Sequence, residues 1–265
     1  MKEYWQSKTR VRACLTLVAT ALATGIAAQQ SWTKKPYTQW SKSDAETVLN
    51  DSPWAARQEI RIKFDKETQV AAGAYTPMAG VTDTSAANAK TEVSSAVPVD
   101  FIFTVRLRSA LPVREAMVRL KQFEANTDKM NEKQRAAFEA QVKGLLECPA
   151  CAQNYVVTLS SKSTNRPGAD AVYATLKGGR LADLQRYVYI ANERGQRRTL
   201  VHFVPPKAPG EEAVFFFPRD ETDRIPLLTP ENKELLINLS DNQPNSITNF
   251  KLDVSKLVVN GKVEF

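Results

Sequence analysis

The chain has 265 residues, a formal net charge of +7 and 25% charged residues. This length allows one domain with a good hydrophobic core, or two small domains. Basic residues alternate with acidic ones, as in Glu115 and Arg119, whereas a nucleic-acid-binding protein clusters its positive charge on one stripe. The composition therefore argues against a nucleic-acid partner.

Residues 1–28 have the pattern of a signal peptide. Four basic residues precede the uncharged run ACLTLVATALATGIAA, which is shorter than the about 20 apolar residues of a membrane span. Small residues at its end predict cleavage after Ala28, or as a second choice after Ala27. An uncleaved N-terminal anchor is the alternative. Removing the leader leaves 32 Lys and Arg against 28 Asp and Glu, a net charge of +4. We expect a periplasmic or secreted protein with no transmembrane segment in the mature chain.

The segment 29–56 is expected to be a tryptophan-rich N-terminal extension with one short helix. It carries three of the four tryptophans, Trp32, Trp40 and Trp54. Ser43 and Glu46 have the spacing of a capping box at the start of that helix. Because a helix of about two turns is not stable alone, the aromatics must dock it on the domain or on a partner. The three tryptophans are therefore candidate binding residues.

Residues 57–265 are expected to form a single α+β domain. The alternating runs RQEIRIKFD and FIFTVRLRS predict two paired strands. Between them, residues 68–98 are rich in Ala, Thr and Ser, which predicts a long mobile loop. Pro112 opens a predicted helix that Asn126 interrupts, and a second helix continues to about Leu146.

The chain becomes rich in predicted strands after the second long helix. The candidates are NYVVTLS, QRYVYIAN, RRTLVHFV, EAVFFFP, ELLINLS, ITNFKLD and LVVNGKVEF. Residues 193–196 and the pair 260–261 predict hairpin turns, and one helix is predicted at about 170–177. Strands that follow helices without regular alternation predict an α+β fold with largely antiparallel sheets. We expect a sandwich-like C-terminal half and a helical segment inserted between strands.

Cys148 and Cys151 form a CPAC motif, which has the spacing of thiol–disulfide enzymes. In those enzymes the first cysteine lies at a helix N-terminus, where the helix dipole lowers the pKa of the thiol. Here the predicted helix precedes the motif and a strand follows it. In an oxidising compartment the pair is therefore expected to form a structural disulfide. A redox centre and part of a metal site are the alternatives; zinc needs four ligands, and His202 is the other soft ligand of the mature chain.

No motif of a known catalytic chemistry is present. The chain has no G-x-S-x-G elbow, no Gly-rich phosphate loop and no HExxH. His202, the single histidine, shares a predicted strand face with Leu200 and Val204 and is expected to be packed. A hydrolase based on His202 would need a nucleophile that the sequence does not identify. The acidic run 220–223 does not have the spacing of a calcium loop, so we predict no catalytic residue, no metal and no cofactor.

Four segments resemble a family of exported bacterial proteins to which no activity is assigned. They are KPYTQWSKSDAETVLNDSPWA, VRLRSALPVREAMVRL, VFFFPRD and SKLVVNGKVEF, which match a start of the form W…DSPWA and a strand containing FPR. The resemblance spans most of the mature chain. It implies export and a single module, and it assigns no catalytic residue.

These features predict an exported, non-enzymatic binding or assembly module of the bacterial cell envelope. Its partner would be an envelope protein or polymer. A thiol–disulfide oxidoreductase that uses Cys148 and Cys151 is the alternative prediction, and a hydrolase based on His202 is the third.

Overall fold

The computed structural model describes residues 31–62, 99–220, 225–239, 249–259 and 261–265. The predicted signal peptide, the predicted mobile loop at 68–98 and all but the first residue of the acidic run 220–223 lie outside these ranges. The α-helices are α1 (Lys42–Asn50), α2 (Leu111–Ala125), α3 (Glu132–Glu147), α4 (Arg166–Gly178) and α5 (Leu181–Leu184). Short 3₁₀ helices occupy Ser31–Lys34, Tyr37–Gln39, Thr127–Lys129, Pro149–Ala152 and Val254–Lys256.

The described strands form antiparallel sheets. They are β1 (Ala55–Ile62), β2 (Val99–Leu107), β3 (Asn154–Ser163), β4 (Tyr189–Asn192), β5 (Arg197–Thr199), β6 (His202–Val204), β7 (Ala213–Pro218), β8 (Glu234–Asn238), β9 (Phe250–Asp253), β10 (Val258–Val259) and β11 (Lys262–Val263). The first sheet has the order β1-β2-β3-β7-β6, the second has the order β5-β4-β8-β9, and β10 and β11 form a hairpin. The predicted α+β class is confirmed, as is the helical segment, α2 and α3, inserted between β2 and β3.

The alternation of apolar and polar residues along the strands determines which face of each sheet is buried. Phe101 lies opposite Ile60 and Phe103 opposite Gln58, so the predicted pairing of β1 with β2 is confirmed. The inner residues of β2, β3 and β7 join those of β8 and β9 in one hydrophobic core. Two sheets that share a core in this way form a sandwich-like arrangement.

The predicted strand RRTLVHFV is divided between the two sheets, and the prediction of one continuous strand is wrong. β5 pairs with β4 in the second sheet, whereas β6 pairs with β7 in the first. Leu200 lies at the crossing and is fully buried, and its carbonyl accepts a hydrogen bond from Gln185. Because the chain changes sheets here, His202 is exposed beside Phe216. The expectation of a packed histidine is therefore also wrong.

Two predicted helix starts are displaced along the chain. The capping box of α1 is formed by Ser41 and Asp44, not by Ser43 and Glu46, because the Ser41 hydroxyl and the Asp44 carboxylate each accept from the other's backbone N–H. Helix α4 begins at Arg166 and not near residue 170, since Asn165 caps it by accepting from Gly168. In both cases a polar cap precedes the apolar residues that gave the helical pattern.

The N-terminal segment is part of the same core as the sheets. Helix α1 buries Ala45, Val48 and Leu49 against that core. Buried Arg106 on β2 donates hydrogen bonds to the Leu49 carbonyl and to Asn50 at the end of α1. A buried guanidinium needs such acceptors, so α1 is tied to the first sheet by polar contacts as well as by apolar packing.

We predict that Trp54→Ala lowers the free energy of unfolding by about 3–5 kcal/mol, the range for truncating a buried aromatic side chain. Trp54 is 1% exposed, and its indole N–H donates to the Glu264 carbonyl at 2.7 Å. Urea unfolding measures the change. Val201→Ala, at a position that is 47% exposed, is the control and should cost less than about 0.5 kcal/mol. Equal effects of the two substitutions would contradict the core position of Trp54.

Candidate ligand-binding site

The three predicted binding residues meet in one aromatic cluster. The Trp32 ring lies 5.6 Å from Trp40 and 5.8 Å from Trp54, both in edge-to-face geometry. The Trp40 indole N–H donates to the carbonyls of Trp32 and Lys35. Each of the three side chains is 3% exposed or less. The tryptophans therefore dock the N-terminal segment on the domain, and they expose little ring surface.

A cavity of about 370 Å³ opens beside this cluster. We call it the tryptophan pocket, and its lining includes Trp32, Trp40, Lys35, Tyr37, Leu111, Glu115, Lys262 and Glu264. Three parts of the chain build it: the N-terminal 3₁₀ turns, the first turns of α2, and the β10–β11 hairpin. Pockets with apolar walls and a few polar groups are the usual form of a ligand site.

The lysines at the pocket are already paired with acidic side chains. Lys262 Nζ lies 3.3 Å from Glu264 Oε1. Lys35 Nζ lies 3.8 Å from Asp44 Oδ2. Among the described residues, none donates a hydrogen bond to the Glu115 carboxylate and none forms an ion pair with it. Glu115 is therefore a carboxylate of the pocket without a direct partner among the described residues, although the Arg114 guanidinium acts on it from a longer distance.

The arginines nearest to Glu115 on α2 point to other acceptors. The Arg114 guanidinium donates to the Leu146 carbonyl at the end of α3 and to the Ser109 carbonyl at 3.4 Å. Arg119, which has the i+4 spacing from Glu115, donates instead to the Trp40 carbonyl at 2.7 Å. These bonds fix α2 against its neighbours and leave Glu115 facing the cavity.

Burial changes the acidity of two groups in the pocket. It raises the pKa of Glu115 from 4.5 to about 6; the charge of Arg114 opposes this shift and the charge of Glu264 adds to it. Burial also raises the pKa of Tyr37, and the negative charge of Glu115 adds to that shift. Both effects follow from the low polarity of a half-buried site, which disfavours the charged form of an acid.

The CPAC motif lies at a different place, between α3 and β3. Cys148 ends α3 in the left-handed conformation, with φ of 42°, and β3 begins at Asn154. Cys148 and Cys151 are joined in a disulfide with their Cα atoms 5.3 Å apart. Helix therefore precedes the motif and strand follows it, as predicted. Cys151 is 6% exposed.

Arg219 connects the CPAC turn to Phe265. Its Nε donates to the Cys151 carbonyl at 2.8 Å, and its guanidinium also donates to the Phe265 carbonyl. The same guanidinium lies 4.6 Å from the centre of the Tyr155 ring. The turn is thus held against β3 and Phe265 by contacts that do not involve the sulfur atoms.

Sequence reasoning identified the tryptophans but missed Tyr37, Glu115 and Glu264. These residues are up to 227 positions apart in the sequence, so no local spacing connects them. In the sequence, Glu115 is one of the acidic residues that alternate with basic ones, together with Arg119. The one local sign that Glu115 is partly buried is its position next to Ala116, which lies in the core.

Further features of the described residues bear on the class of site. Within the described ranges, no helix is both long and apolar enough to cross a membrane. In the same ranges, no three His, Cys, Asp or Glu side chains form a group that could hold a metal ion. The chain matches no protein-family model, and no curated protein or solved structure is significantly similar to it.

We predict that Glu115→Gln raises the free energy of unfolding above that of the wild type at neutral pH, and raises it less at acidic pH. The folded protein binds the Glu115 proton more tightly than the unfolded chain, so the stability due to this proton is present below pH 4.5 and is lost as the pH rises through 6. Glutamine does not ionise and avoids this loss. Because the side chain is partly exposed and its charge is screened, the gain is about 1 kcal/mol.

Urea unfolding at about pH 4 and about pH 7.5 measures this difference. Glu124→Gln is the matched control, because Glu124 is an exposed carboxylate on the same helix. If the difference between Glu115→Gln and the wild type is the same at both pH values, Glu115 is not a buried carboxyl with a raised pKa.

Proposed function

We propose that this protein is an exported, non-enzymatic binding module of the bacterial cell envelope and that the tryptophan pocket holds its ligand. The observation that carries the proposal is a half-buried carboxylate, Glu115, which lines an aromatic pocket and has no hydrogen-bonded or ion-paired partner among the described residues. The signal-peptide pattern of residues 1–28 supports export. The mass of the N-terminal peptide of protein recovered from the envelope tests it, because an intact Met1 would contradict cleavage after Ala28.

The pocket walls are held in place before any ligand binds. The Trp40 indole is bonded to two backbone carbonyls, and the Trp54 indole fixes Glu264 through its carbonyl. A ligand that enters such a site does not have to order the protein around it, which reduces the entropic cost of binding. Rigid walls made by three segments of chain support a binding role.

The charged groups favour binding over acid–base catalysis. A pKa of about 6 would suit a general acid or base. A second free group would also be needed, however, and Glu264 is paired with Lys262.

We predict that a photoreactive amino acid at Leu111 forms a covalent adduct with an envelope component in living cells. Leu111 is 37% exposed and lies at the edge of the tryptophan pocket, so a bound ligand would be within reach of its side chain. The same photoreactive residue at Val201, which is 47% exposed and outside the pocket, is the control. Adducts that are equal at both positions, or absent from Leu111, would contradict a ligand site here.

A thiol–disulfide oxidoreductase, the alternative from the sequence, has less support from the geometry. Cys148 lies at the C-terminal end of α3, where the negative end of the helix dipole disfavours a thiolate. Cys151 is buried, and its carbonyl is bonded to Arg219. Both observations favour a structural disulfide that sets the angle between α3 and β3.

We predict that the double variant Cys148→Ser, Cys151→Ser still folds and keeps the Leu111 adduct. The disulfide closes a very short loop, so its loss should cost less than the about 3 kcal/mol expected for a loop of 15 residues. The contacts of Arg219 and Arg114 would hold the turn in its absence. Insulin reduction by the wild type, or a reduction potential far above the about −300 mV limit of structural disulfides, would favour the oxidoreductase instead.

A further inference from the structure

We infer that the tryptophan pocket selects a cationic group, the ammonium or guanidinium of a Lys- or Arg-bearing polypeptide. This inference rests on the proposed function, since it names the chemistry of the ligand for the same pocket. It is carried by the distribution of charge around the cavity and by the aromatic and apolar residues that line it.

The other charges that face the cavity have partners, whereas Glu115 lacks one among the described residues. Lys35 is paired with Asp44, and Lys262 with Glu264. An anionic ligand would have to compete with those carboxylates for the lysines. A cation can approach Glu115 without breaking an ion pair, and the nearby Glu264 charge adds to the attraction.

The site is also better suited to a cation than a surface carboxylate would be. Glu115 is half-buried, and a charge-assisted hydrogen bond in a site of low polarity is stronger than one exposed to water. Tyr37 also lines the pocket and can present its ring to an ammonium or guanidinium group. Leu111 and Pro112 provide apolar surface for the methylene groups of a lysine or arginine side chain.

Binding of a cation should depend on the protonation of Glu115. The groups that face it from the surrounding elements are Lys35, Tyr37, Lys262 and Glu264, and Arg114 adjoins it on α2. As the pH falls through about 6, the Glu115 carboxylate is neutralised and its attraction for a cation is lost. The same pH titration of Glu115→Gln is the control, because glutamine does not ionise.

The test uses three blocked amino acids as probes with ¹⁵N-labelled protein: N-acetyl-lysine methylamide, its uncharged norleucine analogue and its glutamate analogue. The indole N–H resonances of Trp32 and Trp40 report occupation of the pocket. We expect the lysine probe to bind about tenfold more tightly than the norleucine probe, the effect of one charge-assisted hydrogen bond. This preference should weaken as the pH is lowered from about 7 to about 5.

Two variants and one control complete the test. Glu115→Gln should lose the preference for lysine, whereas Glu124→Gln, on the exposed face of the same helix, should keep it. Leu111→Lys places an ammonium group one helical turn before Glu115 and should block the probe while the indole spectrum stays that of a folded protein. This variant keeps the inference testable if Glu115→Gln does not fold.

The outcomes separate this inference from the proposed function. Cation recognition would be overturned if the lysine and norleucine probes bind equally or if the glutamate probe is preferred. It would also be overturned if Glu115→Gln or Leu111→Lys leaves lysine binding unchanged. An adduct from Leu111 in cells would still support a ligand site in that case. Absence of that adduct would contradict the proposed function itself.

Discussion

The burial of three tryptophans where the two ends of the described chain meet is the constraint on which the rest of the structure depends. An indole N–H in a dry interior needs an acceptor. The Trp40 indole N–H donates to two carbonyls of its own segment, and the Trp54 indole N–H donates to the carbonyl of Glu264. These bonds hold the N-terminal turns beside the C-terminal hairpin. The cavity between them and α2 is the consequence.

Polar contacts from arginines position the helices around the sheets. Arg106 joins the end of α1 to β2, and its guanidinium also contacts Ser160 and Glu212 on the outer face of the first sheet. Arg114 joins α2 to the end of α3, and Arg219 joins the CPAC turn to Phe265. Removing a partner of a buried guanidinium is costly, so these contacts restrict how the helices can move on the sheets.

The disulfide and the tryptophan pocket have separate roles in this arrangement. The disulfide lies at the junction of α3 and β3, where Arg219 already fixes the backbone. The pocket instead combines aromatic walls with a carboxylate, Glu115, that has no hydrogen-bonded or ion-paired partner among the described residues. The first arrangement maintains local geometry, and we propose that the second recognises a ligand.

The sequence by itself determined the α+β class, the pairing of β1 with β2, the helices α2 and α3, and the position of the CPAC motif between helix and strand. These features depend on local periodicity, on Pro and Gly positions and on neighbouring residues. Only the tertiary structure decided that His202 is exposed, because the strand is divided at Leu200 by a change of sheet. It likewise decided that Glu115, Tyr37 and Glu264 share one pocket, since their proximity depends on long-range packing that no local pattern encodes.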